Sequence, residues 1–258
     1  MTDEQVKAVN GNVLHVPTVL GAVVATYNLP TVGKTPLRLD GPTLADIFLG
    51  RICHWNDRRI TSLNPGVSFP QQDIIVVHRS DGSGTTFIFT DYLSKISGQW
   101  KGQVGKATSV QWPTGLGGKG NEGVTQLVKQ TDGAIGYVEL IYALSNNLPY
   151  AWLKNAGGAF IEPTLKSVSA AAAGAHLGPE TDFRVSITDA AGKESYPISS
   201  FTWLLVPRQP RDSVKARLLH NFLLWMLQPP AQRMAADLHY SPLPVPLIET
   251  IQQRIQTP

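Results

Sequence analysis

A short loop rich in glycine and serine, placed between a strand and a helix, constrains this chain more than any other feature. The β-branched run at 73–78 predicts a buried strand, and the apolar spacing at 87–96 predicts a helix whose buried side would include Phe87. The residues RSDGSGTT lie between them at 79–86. Because the free N–H groups and the dipole at a helix start favour negative charge, this position is suited to an anion.

The side chains of the loop point to the same chemistry. Arg79 offers a planar, permanently charged fork of donors, and Asp81 is close enough in sequence to pair with it. Other loop residues supply hydroxyl donors or allow close approach of the backbone, namely Ser83, Thr85, Gly82 and Gly84. From the loop alone, a simple helix cap is an equally good interpretation.

Better-known glycine-rich motifs do not match this chain. A Walker A loop needs Ser or Thr after its lysine, but Lys119 is followed by Gly120 and Asn121. A Rossmann fingerprint needs glycine where Phe87 stands, and a serine-hydrolase elbow needs glycines at 81 and 85. The sequence has no metal-ligand spacing and no paired nucleophile and base, so we predict no catalytic residues, no metal site and no cofactor.

Predicted strands alternate with predicted helices along the chain, which indicates an α/β fold with a mixed or mainly parallel sheet. The run at 13–28 predicts extended strand in pieces because it contains Pro17 and Gly21, and Thr43 is predicted to cap a helix over 44–51. Further strands are predicted at 36–39, 133–138 and 196–206. Further helices are predicted at 3–9, 57–63, 122–130, 139–145, within 163–175, and at 213–228, 231–238 and 247–255.

The helix predicted over 213–228 is the clearest amphipathic segment. Its large apolar residues recur at helical spacing, namely Val214, Leu218, Phe222 and Trp225. We predict that this stripe belongs to the core.

Composition excludes several classes of protein. Charged residues make up only 16%, which is too few for a charge-laced coiled coil, and a net charge of +3 without a basic run argues against a nucleic-acid partner. The single cysteine, Cys53, excludes an internal disulfide and is predicted to be a buried or half-buried residue. The N-terminus carries no signal-peptide pattern, which taken alone indicates a cytoplasmic protein.

The loop is one of five motifs that occur along the chain in the same order as in a known protein family. They are DGPTLADIFLGRICHWND at 40–57, HRSDGSGTTFIFTDYLSKIS at 78–97, WPTGLGGKGNEGV at 112–124, GAIGYVEL at 133–140 and SYPISSFTWLLV at 195–206. Together they resemble the substrate-binding proteins of the bacterial high-affinity phosphate ABC transporter. The resemblance covers essentially the whole chain and is far more specific than the loop alone.

The resemblance implies a type II periplasmic-binding-protein fold, in which two α/β lobes are joined by crossing hinge strands and the anion is buried between them. Residues 1–30 and 198–258 would form the first lobe, and 31–197 the second. The family's phosphate-contacting residues match Arg79, Ser83, Gly84 through its N–H, and Thr85, while Asp81 matches the aspartate that pairs with the arginine.

The function implied by the resemblance is non-enzymatic binding of inorganic phosphate. The protein would be an exported periplasmic monomer that delivers phosphate to the membrane permease of an ABC importer, which replaces the cytoplasmic interpretation. A phosphate-sensing or surface protein on the same scaffold, and a fragment that binds nothing, are the alternatives. A phosphatase would need a nucleophile with a nearby base or metal, which the sequence does not offer.

The chain departs from the family pattern at its N-terminus. Met1 aligns after the family's third anion-binding turn, so roughly 60 residues, fewer than a typical domain, have no counterpart and the first lobe is expected to be incomplete. These residues would include an aspartate that accepts a hydrogen bond from protonated phosphate, which leaves selectivity over sulfate open. A late gene start, a fragment and a shortened paralogue all fit. The remaining first-lobe pieces would expose apolar faces and unpaired strand edges.

Other residues near these motifs have weaker signals. Trp112, together with Gly117, Gly118 and Lys119, is predicted to lie in a structural loop, with the rim of the cleft as the alternative. His78 is interpreted as a strand-end residue and not as a ligand. Tyr137 and Glu139 are placed near the cleft or hinge without an assigned role.

Overall fold

A computed structural model describes residues 3–33, 35–173, 175, 181–208 and 212–256. Met1 and Gly174, which enter two of the sequence predictions, lie outside these ranges. The strands are β1 (Val13–Tyr27), β2 (Arg38–Leu39), β3 (Ile75–Arg79), β4 (Leu116–Gly118), β5 (Ala134–Glu139), β6 (Trp152–Lys154), β7 (Phe160–Ile161) and β8 (Ser199–Pro207). The helices are α1 (Asp3–Ala8), α2 (Gly41–Phe48), α3 (Arg58–Thr61), α4 (Gly84–Ile96), α5 (Gly98–Gln103), α6 (Gly120–Gln130), α7 (Leu140–Ser145), α8 (Leu165–Ala173), α9 (Ser213–Met226), α10 (Pro229–Asp237) and α11 (Val245–Gln256).

The main sheet confirms the predicted α/β class with mixed strand directions. Its order is β4-β3-β5-β1-β8, with β3 parallel to β4 and β5, and β1 antiparallel to β5 and β8. A second, three-stranded sheet has the order β2-β6-β7. Because β3 is central to the parallel part, its carboxyl end and the loop that follows lie where ligands bind in open α/β sheets.

The long strand β1 belongs to two parts of the molecule. Residues 13–22 pair with β8, and residues 23–27 pair with β5. We predicted extended strand in pieces, but the structure has one continuous strand with a register irregularity between Pro17 and Val19. A bulge accommodates a proline that has no N–H to donate, so the strand continues past it.

The core next to the glycine-rich loop is aromatic. Phe48 of α2 meets Phe89 of α4 edge to face, with ring centroids 4.7 Å apart, and Phe89 stacks on Tyr137 of β5 at 4.3 Å. Trp112 stacks on Tyr137 at 5.6 Å and on His78 at 4.8 Å. These ring contacts pack α2, α4 and β5 against one another behind the loop and stabilise its position.

Two helices, α2 and α4, begin three residues earlier than the sequence predicts. α2 begins at Gly41, and its cap is Asp40, whose carboxylate accepts the Thr43 N–H, so the prediction of Thr43 as the cap is wrong. α4 begins at Gly84 and not at 87, and its first turn includes residues that we placed in the loop. Phe87, predicted for the core, is exposed, because it lies two positions from the buried Phe89 and therefore on nearly the opposite side of the helix.

The apolar stripe of α9 is the largest departure from prediction. The four side chains predicted as core are 48% to 62% exposed, namely Val214, Leu218, Phe222 and Trp225. Leu223 is buried and borders a cavity of about 330 Å³, together with Leu14 of β1 and Ile255 of α11. The described elements therefore cover one side of α9 and leave the stripe open.

Candidate functional site

The glycine-rich loop forms the N-terminus of α4. Ser83 caps the helix, because its Oγ accepts the Thr86 N–H at 3.2 Å while its own N–H donates to the carbonyl of Thr108 at 2.8 Å. In the described part of the chain, the N–H groups of Gly84 and Thr85 have no protein partner, as expected in a first helical turn. The loop caps the helix and still leaves two N–H groups open to an acceptor, so the two interpretations of the sequence do not exclude each other.

The two loop glycines face open space. A Cβ built on Gly82 or Gly84 would meet no protein atom within 4 Å, and neither residue has the positive φ that favours glycine. Neither the backbone conformation nor the packing therefore requires glycine at these positions. Close approach of a ligand to the backbone gives a physical reason for the missing side chains.

Arg79 and Asp81 form the paired arrangement that the sequence predicts. Arg79 Nε donates to one carboxylate oxygen of Asp81 at 2.8 Å, and Nη2 donates to the other at 2.6 Å. The Gly120 N–H also donates to Asp81, at 3.1 Å. The Arg79 bonds, followed by the Gly120 bond, hold the pKa of Asp81 well below its usual range. The Arg79 side chain is only 9% exposed, so burial and the two bonds to Asp81 together fix its orientation.

Tyr137 supports the loop from behind, a role that the sequence did not reveal. Its hydroxyl accepts the Arg79 N–H at 3.2 Å and lies 2.7 Å from Thr86 Oγ1. Burial raises the pKa of this phenol to about 12, so it remains protonated at neutral pH. The motif GAIGYVEL was the available signal, but only the pairing of β5 with β3 brings it beside Arg79.

Thr85, predicted as a donor to the anion, has its hydroxyl directed at a carboxylate. In this structure its hydroxyl donates to Glu139 Oε1 over 3.3 Å. Glu139 ends β5 and also accepts the hydroxyl of Tyr240 at 2.7 Å. Both Glu139 and Tyr240 therefore adjoin the candidate site, and only Glu139 was noticed in the sequence.

The second glycine-rich segment, predicted as a structural loop, contains the short strand β4. Gly117 and Gly118 pair with His78 and Arg79 in β4, and a Cβ on Gly118 would stand 2.7 Å from the Val124 nitrogen. The half-buried His78 stacks on Trp112. The pKa of His78 is lowered by burial, so its imidazole is neutral at physiological pH.

Metal-binding and membrane-spanning features are both missing from the described ranges. No group of three or more His, Cys, Asp or Glu side chains there could hold a metal ion. No helix in these ranges is long and apolar enough to cross a membrane. Cys53 is exposed, contrary to prediction, because its Sγ lies beside the Gly50 carbonyl at the end of α2 and outside the core.

Comparison with known proteins gives consistent matches. Residues 1–230 match the family model described as a PBP superfamily domain. Two curated proteins named phosphate-binding protein PstS are similar. The one from Xylella fastidiosa is 48% identical over 236 residues, which is 92% of this chain and 65% of that protein. The one from Pasteurella multocida is 43% identical over 244 residues, which is 95% of this chain and 71% of that protein.

Solved structures are similar over nearly the whole chain. A high-affinity periplasmic phosphate-binding protein bound with phosphate has a TM-score of 0.76 at 20% identity, covering 98% of this chain and 76% of that one. An ABC-type phosphate transport receptor from Vibrio cholerae has a TM-score of 0.57 at 16% identity, covering 93% and 76%. At these identities the likeness shows the fold, and this chain spans about two thirds of the length of the Xylella relative.

Proposed function

This chain belongs to the PBP superfamily, in the family of PstS phosphate-binding proteins, and we propose that it binds inorganic phosphate in an interlobe cleft and delivers it to an ABC importer. The type II periplasmic-binding-protein fold predicted from the sequence is confirmed by the structural neighbours. The names of the relatives support the ligand and the transport role. The geometry of the loop supports the place of binding.

The start of α4 carries the proposal. Phosphate would accept the Gly84 N–H and the hydroxyl proton of Ser83, which is available because Ser83 Oγ acts as acceptor toward Thr86. Arg79 would donate from Nη1, since Nε and Nη2 are engaged by Asp81. Thr85 would complete the site. Asp81 acts through Arg79 and holds its fork in position.

We also propose the division into lobes that the sequence predicts, with residues 1–30 and 198–258 in one lobe and 31–197 in the other. Support comes from β1, which pairs with β8 along its first half and with β5 along its second. A strand shared in this way is suited to act as a hinge. The protein would act as an exported periplasmic monomer that meets the importer's permease.

The site residues are tested by Arg79→Ala. Loss of a charge-assisted bond contributing about 1.5–3 kcal/mol should weaken phosphate binding at least about tenfold, measured by titration calorimetry. Arg51→Ala is the matched control, because Arg51 is a partly exposed arginine whose guanidinium contacts Asp46 and Gln103 and not the loop. Unchanged phosphate affinity in the Arg79 variant, with the thermal unfolding midpoint preserved, would remove the site assignment.

A phosphatase is the competing function, and the Thr85–Glu139 contact is the observation that favours it. A hydroxyl that donates to a carboxylate could act as an activated nucleophile. We expect no release of phosphate from p-nitrophenyl phosphate by the intact chain. Turnover that disappears in Glu139→Gln would replace the binding function with an enzymatic one.

A further inference from the structure

The carboxylate of Glu139 joins three parts of the chain beside the anion loop. Thr85 Oγ1 donates to Oε1 over 3.3 Å, and the Tyr240 hydroxyl donates to Oε2 over 2.7 Å. The amide of Asn121, at the start of α6, is directed at Oε1 from 3.5 Å. Because an ionised carboxylate only accepts hydrogen bonds, Glu139 competes with any bound anion for the proton of Thr85.

Tyr240 reaches this carboxylate from the C-terminal part of the chain. Its ring lies against Gly21 of β1, where an added Cβ would stand 3.5 Å from the ring. The next residue, Ser241, exchanges backbone hydrogen bonds with Leu20 at 2.8 and 2.9 Å. Burial, followed by the bond to Glu139, raises the pKa of the Tyr240 hydroxyl, which therefore stays protonated and is a permanent donor.

We propose that Tyr240 is a positioning residue for the anion loop and acts on Thr85 through Glu139. A carboxylate that already receives the short bond from Tyr240 holds the proton of Thr85 less strongly, so this proton can turn toward a bound anion. The contact of Tyr240 with β1 therefore couples the position of the C-terminal part of the chain to the orientation of the Thr85 hydroxyl in the loop. The inference rests on the proposed function, because it requires phosphate at the Thr85 end of the loop.

Removal of the Tyr240 hydroxyl has a defined consequence. In Tyr240→Phe, phosphate binding would draw the Thr85 proton from Glu139 and leave the carboxylate with only the long Asn121 contact. A charged carboxylate that has too few hydrogen-bond donors is unfavourable. Tyr240→Phe should therefore weaken phosphate binding by about three- to tenfold, although Tyr240 does not touch the anion. In Glu139→Gln, the neutral amide competes less for the proton, and phosphate binds at least as tightly as in the unmodified chain.

The experiment is a double-mutant cycle on phosphate affinity, measured by titration calorimetry with the full chain. We expect Tyr240→Phe to weaken binding on its own and to change affinity by less than about twofold when added to Glu139→Gln. Tyr142→Phe is the matched control, since that hydroxyl donates to Glu122 at 3.1 Å and not to Glu139. Thermal unfolding of each variant verifies that the fold is retained.

The cycle separates a positioning role from a structural one. Tyr240→Phe with affinity within about twofold of the unmodified chain overturns the inference, and so does a full penalty that persists in the E139Q background. As a second variant, Thr85→Val should likewise abolish the Tyr240→Phe effect. If the unmodified chain itself does not bind phosphate, the proposed function fails and the inference fails with it. If the unmodified chain binds phosphate but the variants do not behave as expected, the inference alone is overturned.

Discussion

Two helices of similar length, α4 with 13 residues and α9 with 14, have opposite relations to the rest of the molecule. Both were predicted as amphipathic helices that bury their apolar side. α4 packs against α2, α5 and β5, and even its hydroxyls Thr86 and Thr90 are buried. α9 is richer in large apolar residues, yet Leu223 is its only buried residue. Apolar spacing therefore predicts which side of a helix can be buried, while burial itself depends on a second element that covers it.

Polar groups show the same difference between the two regions. Asp91 in α4 is 1% exposed and accepts bonds of 2.6 Å from Lys106, Ser186 and Thr188. The N-cap of α9, Asp212, is exposed, and among the described residues its contacts are with its own helix, namely two backbone N–H groups and the Lys215 ammonium. A helix held by long-range polar bonds and aromatic contacts is suited to carry a binding loop at its N-terminus.

The largest expected effect contrasts buried and exposed phenylalanines. Phe89→Ala should lower the free energy of unfolding by about 3–5 kcal/mol, because the ring fills the space between Phe48 and Tyr137. Phe222→Ala on α9 should cost less than about 1 kcal/mol, since that ring is 48% exposed. Urea denaturation measures both values, and equal losses would contradict the contrast between the helices.

The second effect concerns Asp91 and pH. Burial alone would raise its pKa, but the bonds from Lys106, Ser186 and Thr188 outweigh burial and lower the pKa to about 2. A carboxyl whose pKa is lower in the folded protein stabilises the fold at pH values above its unfolded pKa of about 3.9. This stabilisation, here about 2 kcal/mol, is lost as the pH falls through about 2. Asp91→Asn should therefore destabilise at pH 6, and its difference from the unmodified chain should shrink toward pH 2 in denaturant titrations. The exposed Asp73→Asn is the control, and a pH-independent difference would refute this account.

The third effect separates binding from stability at the start of α4. Gly84→Ala should weaken phosphate binding about tenfold in titration calorimetry, because the new methyl group would project into the open space proposed for the anion. Its free energy of unfolding should change by less than about 1 kcal/mol, since no protein atom lies within 4 Å. Gly98→Ala, at the first position of α5 and equally unobstructed, is the matched control. Equal phosphate affinity in both variants would argue against an anion at Gly84.

The smallest effect is expected on the exposed stripe. Leu218→Gln should alter the free energy of unfolding by no more than about 0.5 kcal/mol, because the side chain is 62% exposed. Leu223→Gln, on the buried side of the same helix, should be strongly destabilising and serves as the reference. A loss above about 1.5 kcal/mol for the Leu218 variant would show that the stripe packs against something in solution.

Much of the candidate site could be predicted because its parts are close in sequence. Arg79 and Asp81 are two residues apart, and Ser83 caps the helix that begins one residue later. Tyr137 and Tyr240 could not be assigned, since they reach the loop through the pairing of β5 with β3 and through the contact at Glu139. Helix starts were misplaced where an earlier cap was available, as at Asp40 and Ser83.

The amino-acid sequence by itself determined the α/β class, the order of the longer elements and the local chemistry of the glycine-rich loop. These follow from spacing and from neighbours along the chain, which act before any long-range contact forms. Only the tertiary structure decided that β1 is one strand shared by two regions, that Thr85 donates to Glu139, and that the α9 stripe is open. Each of these depends on which distant element lies alongside, and local spacing carries no information about that.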